Sequence, residues 1–146
     1  MQARRRSREQ LLQVLYQSRV TGEWEASAPL SLHRPDPKED EEAGEGDTGE
    51  ERGDRDFVRQ VTEALNERRE EIDALIEGAS RNWRLDRMAV VDLSILRLAA
   101  AELLLGTAPS RVIINEAVEL AKGFGADNSA NFVNGVLDGL LRRLPK

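Results

Sequence analysis

The sequence predicts an all-α protein, and three observations carry the prediction. Apolar residues recur at helical spacing through every patterned stretch, and no stretch alternates with period two. Aromatic residues make up only 4% of the chain against 33% charged, whereas strands draw on aromatic and β-branched side chains. The 146 residues suffice for one hydrophobic core, so residues 1–146 are read as a single domain.

The first helix is expected over 7–20. Leu11, Leu12, Leu15 and Tyr16 form its inward stripe, and Glu9, Gln10, Gln13 and Gln17 its outward face. Ser7 and Gln10 have the spacing of a capping box, and Gly22 is a natural stop. From there to Gly53 the signals fade. Pro29, Pro35 and Pro37 interrupt any helix, and an acidic, glycine-dotted run follows. Such a run buries too little to offset its conformational entropy, so 22–53 is expected to be a disordered acidic insertion, with a short helix possible around 24–32.

Periodicity resumes at Asp54. Phe57, Val58, Val61 and Leu65 form one stripe, Ile72, Leu75, Ile76 and Ala79 the next, with Asn66 as the cap between them. Trp83 and Leu85 lie in a short connection, and Asp86 is placed to cap the following helix. That helix carries Val91, Ile95, Leu98, Ala99, Leu103 and Leu104 on a nearly all-apolar body, which predicts a central position. Gly106 to Pro109 ends it. Ser110 is expected to cap a helix with Ile113, Ile114, Ala117, Leu120 and Ala121 inward, closed by Gly123 and Gly125. The last helix is expected from about Asn128 to Arg143, on the stripe Phe132, Val133, Val136, Leu137, Leu140 and Leu141.

Charge is distributed unevenly. Residues 36–56 hold eleven acids against three bases, a net −8, so the rest of the chain carries +2 of the total of −6. Arg4, Arg5, Arg6 and Arg8 crowd the start. A partner responds to charge within about 8–10 Å rather than to the average, so the acidic total does not exclude an anionic ligand. No apolar run approaches the roughly 20 residues of a membrane span, and the basic start lacks a secretory apolar segment. A protein of the cytoplasm without a membrane partner is expected.

The residues offer little for catalysis. There is no cysteine, and the one histidine, His33, sits in the proline-flanked linker, where nothing fixes it. The glycines of 46–53 stand among too many acids to cradle a phosphate, and the acids of 39–42 lack the spacing of an ion loop. No enzyme activity, cofactor or metal is expected. Binding surfaces remain. The arginines near a helix start can hold phosphates through their planar donor forks, or can simply be a solvated tail. Asn128, Ser129, Asn131 and Asn134 can read base edges, and Phe124 or Phe132 can stack on an unpaired base. Equally, Phe132 can be core and Asn128 a helix cap.

Four ordered blocks resemble one family. VIINEAVELAKGFG (112–125) followed by SANFVNGVLD (129–138) resembles the signature of NusB proteins. LDRMAVVDLSILRLAAAELL (85–104) is similar to their long central helix, and RRRSREQLLQVLYQ (4–17) to their first. The resemblance implies about seven helices in two packed subdomains. It implies a non-catalytic transcription antitermination factor that binds single-stranded boxA RNA of ribosomal RNA leaders with the ribosomal protein NusE, within the RNA polymerase antitermination complex. Carried over by position, the RNA face would hold Arg4, Arg5, Arg6, Arg8, Phe124, Asn128, Ser129 and Phe132. The NusE face would hold Tyr16, Asp86 and Asp92, acids suited to a basic ribosomal protein. Asn115 and Glu116 would be structural.

Three features depart from the family pattern: Asn131 where a basic residue is usual, Ala101 where a tyrosine is common, and the long acidic linker. Near the arginines, that linker would mimic RNA phosphates, so its deletion is expected to strengthen RNA binding at low salt. Other readings stay open: a protein-only scaffold for NusE or polymerase, the detached RNA-binding domain of an rRNA methyltransferase, and, more remotely, a helix-turn-helix. Monomer and homodimer are both compatible with the sequence.

Overall fold

A computed structural model describes residues 2–21, 49–80 and 84–144. The expected short helix around 24–32, His33 and Trp83 lie outside the described residues, as do residues 22–48 of the stretch 22–53 expected to be disordered; its remainder, 49–53, is helical, which corrects that expectation. The described residues form six α-helices and no strand: α1 (Gln2–Thr21), α2 (Gly49–Glu67), α3 (Arg69–Ala79), α4 (Val90–Leu105), α5 (Ser110–Phe124) and α6 (Ser129–Arg143). A 3₁₀ turn, Leu85–Arg87, leads into α4.

The nearly all-apolar helix is indeed the hub. Every residue of α4 from Asp92 to Glu102 is buried, and the helix packs against all five others. A helix buried on all sides needs apolar residues all round, which is why its pattern has no polar face. The other helices bury one stripe each: Leu11, Leu12 and Leu15 on α1, Phe57, Val61 and Leu65 on α2, Ile72 and Ile76 on α3. On α5 the stripe is Ile113, Ala117, Leu120 and Ala121; on α6 it is Val133, Val136, Leu137 and Leu140. Arg97 of α4 reaches Asp73 of α3 through two hydrogen bonds of 2.9 and 3.1 Å.

Helix ends differ from the sequence expectation. α1 starts at Gln2, so Ser7 lies inside it and donates to the Ala3 carbonyl (3.1 Å) instead of capping. α2 starts at Gly49, upstream of the first apolar stripe, because backbone hydrogen bonding does not require an apolar residue. Asn66 falls within α2, and Arg68 takes the cap position before α3. Asp86 belongs to the 3₁₀ turn, leaving Ala89 to precede α4; Pro109, not Ser110, occupies the cap position of α5. Gly106 closes α4 as expected, in the left-handed conformation (φ 69°, ψ 41°) that glycine adopts without a Cβ penalty.

Candidate nucleic-acid interface

Four arginines within five residues take four different environments. Arg8 is buried, and its guanidinium grips Glu102 of α4 at 2.8 Å (Nη2 to Oε1) and 3.0 Å (Nε to Oε2). Thr107 donates to the same carboxylate at 3.0 Å. Arg4 turns toward α2, where it donates to Asp54 (3.3 Å) and lies 4.3 Å over the Phe57 ring. Arg8 approaches the same ring at 5.5 Å. Arg5 turns the other way, toward α5, and makes a two-point contact with Glu116 (3.2 and 3.3 Å). Those hydrogen bonds, and then the Glu116 charge itself, raise the Arg5 pKa above its ordinary value. Arg6 is exposed.

Two neighbouring hollows open between α1, α4 and α5. One, of about 250 Å³, is lined by Arg5, Glu9, Glu116, Glu119, Leu120, Gly123 and Phe124. The other, of about 390 Å³, is lined by Glu9, Leu12, Gln13, Tyr16, Gln17, Val91 and Phe124. Glu9 and Phe124 border both. Phe124 is 50% exposed and Tyr16 43% exposed, unusual for large rings in a packed bundle. Tyr16 therefore departs from the inward stripe assigned to it from periodicity.

Other expected contact residues sit elsewhere. Ser129 is almost wholly buried, and its hydroxyl accepts the Ala126 N–H (2.9 Å), pinning the turn between α5 and α6. Phe132 packs against the core. Ser129, like Arg8, is thus buried, whereas Phe132 keeps part of its ring exposed. Asn128 is exposed at the cap position of α6 without a side-chain cap bond. Asp86 is exposed, whereas Asp92 is buried with its Oδ1 unpartnered. Neither acid lines the two hollows. Among the described residues no cluster of His, Cys, Asp or Glu could hold a metal ion, and no helix is long and apolar enough to cross a membrane.

The sequence model of the NusB family matches residues 5–142 of this chain. The chain belongs to the NusB family. The transcription antitermination protein NusB of Geobacter sulfurreducens is 44% identical over 146 residues, spanning 99% of this chain and 98% of that protein. Among solved structures, T. maritima NusB has a TM-score of 0.68 at 33% identity, covering 96% of this chain and 91% of its own. A chain from a structure of the antitermination factors NusB and NusE with double-stranded RNA shares the fold, with a TM-score of 0.67 at 24% identity and 99% of both chains covered.

Within this NusB fold the hollows are bordered by residues that pattern reading did not single out. Glu9, Gln13 and Gln17 register in sequence only as the solvent face of an amphipathic helix. Glu116 sits 111 positions from Arg5, and no local pattern announces their pairing.

Proposed function

We propose that this chain is a non-catalytic antitermination factor of the cytoplasm. It binds single-stranded boxA-type RNA of ribosomal RNA leader transcripts together with NusE and acts on the elongating RNA polymerase complex. The reading carries with it the family's organisation of about seven helices in two packed subdomains. The observation that supports it best is the meeting of Arg5 with the exposed Phe124 ring in one hollow. A guanidinium suits a phosphate, an exposed ring suits an unstacked base, and single-stranded RNA offers both at once. Arg6 and Asn128, both exposed, and Arg4 on the α2 side are the further RNA contacts of this reading. Arg8, Ser129 and Phe132 hold its framework from behind. Tyr16 and Asp86 offer NusE an accessible ring and acid, whereas Asp92 is buried.

Fluorescence anisotropy of a labelled boxA-type RNA, with and without NusE and across a salt series, tests the reading. Binding that tightens with NusE, weakens as salt rises and is lost when Arg5 and Arg6 become alanine is expected. A folded protein that captures NusE but never RNA would leave a protein-only scaffold.

A further inference from the structure

Glu9 stands apart from the other carboxylates of the hollow it borders. Glu116 is taken up by Arg5, and Glu119 receives Lys122 at 3.3 Å. The Glu9 side chain forms no hydrogen bond or ion pair among the described residues, although it is half-buried on the ridge between the two hollows. Its neighbour on that ridge is the exposed Phe124 ring, and Arg5 lies one helical turn away on α1. A carboxylate with both oxygens unspent, beside a bare aromatic face and a guanidinium, is a specific combination. A basic peptide could take up Glu9 but offers nothing to Arg5, and an acidic peptide would meet Glu9 as a repulsive charge. A nucleotide satisfies all three groups, because it carries an anionic phosphate, a π face and an edge of N–H donors.

We propose that Glu9 is a specificity-determining residue that selects a guanine stacked on Phe124; the inference rests on the RNA-binding reading above. An ionised carboxylate only accepts, and its two oxygens suit two donors side by side. Guanine presents such a pair, N1–H and the N2 amino group, on its Watson–Crick edge. Adenine and cytosine each present one amino group beside an acceptor nitrogen. Uracil presents one N–H flanked by two carbonyl oxygens that repel the carboxylate. Gln13 and Gln17, in the adjoining hollow, offer amides to a neighbouring base with less discrimination.

The test compares anisotropy binding of short oligouridines carrying one central guanine, adenine or cytosine with that of the all-uridine strand. The full-length protein should bind the guanine strand about five- to tenfold more tightly than the all-uridine one, in the range of a good two-point base contact. Glu9→Gln should bring that ratio near one. Glu119→Gln removes the same charge from the same hollow and should keep the ratio, which separates base reading from general electrostatics. A wild-type ratio near one, or a ratio that survives in Glu9→Gln, overturns the proposal. So does a Glu9→Gln protein that loses NusE capture while its base preference stands, which would give Glu9 to the protein partner. Failure to bind any of these RNAs or boxA would instead remove the RNA reading itself.

Discussion

Arg8 of α1 and Glu102 of α4 form a two-point ion pair inside the bundle, 94 residues apart in sequence, with side chains 5% and 2% exposed. The pair docks α1 on the hub helix, and Thr107 ties the α4–α5 turn to the same carboxylate. Together with the buried Leu11, Leu12 and Leu15, this contact fixes which face α1 presents to solvent. Burying two charges gives little net stability when both are present, but removing one strands the other without water.

Arg8→Ala or Glu102→Ala should therefore lower unfolding stability by about 3–5 kcal/mol. The double change Arg8→Met with Glu102→Leu should recover most of it, since matched apolar groups leave no stranded charge. Urea denaturation followed by far-UV circular dichroism measures both. A single variant within about 1 kcal/mol of wild type would mean that water reaches the pair.

The turn between α5 and α6 gives a second prediction. A Cβ built on Gly125 would fall 2.6 Å from the Ser129 hydroxyl and 2.8 Å from the Ala121 carbonyl oxygen. Gly125→Ala should cost about 1–3 kcal/mol through forced repacking. Ser129→Ala should cost about 1 kcal/mol by releasing the Ala126 N–H. Thermal melts that leave Gly125→Ala at the wild-type midpoint would show that the turn yields.

On the proposed RNA-binding reading, Glu116 competes with RNA for Arg5. An exposed ion pair of this kind is weak and is exchanged readily for a phosphate. Glu116→Gln should strengthen binding of boxA-type RNA about two- to fivefold at low salt, and the gain should shrink as salt screens the site. Weaker binding in this variant would instead make Glu116 the residue that holds Arg5 in its binding pose.

Asp86 offers an exposed carboxylate to a basic partner. Asp86→Lys should slow NusE association about tenfold at low salt while leaving binding of RNA alone intact. Stopped-flow or surface-based kinetics reads the rate. An unchanged rate would move the NusE contact away from the 3₁₀ turn.

Much of the fold is legible in the sequence because burial obeys helical period. The buried stripes of α2, α3, α5 and α6 fall on the residues that periodicity selects, and the featureless apolar run of α4 marks the hub. Helix starts are less legible. The first turns of α1 are polar and arginine-rich, so they show no period although the backbone is helical from Gln2. The site is legible only in part. Phe124 is exposed, as the stacking role proposed for it requires, but Tyr16, on the edge of an apolar stripe, gives no local sign of facing outward. Arg8 looks like one more member of a basic run; only the approach of Glu102 from a distant helix makes it a core residue.

The arginine run also changes meaning once it is wound into a helix. Successive helical residues point about 100° apart, so Arg4, Arg5 and Arg6 fan around α1 instead of forming a patch. Arg4 leans on α2, Arg5 on α5, and Arg8 lies inside. On the RNA-binding reading, that leaves Arg5 and the exposed Arg6 for a strand, two cations where the sequence counts four. Counterion release then sets a slope of log affinity against log salt of about −1.4, not the roughly −2.8 of a four-arginine patch. The RNA should accordingly be held less by charge than its arginine-rich anchor suggests, and more by the surfaces its bases meet.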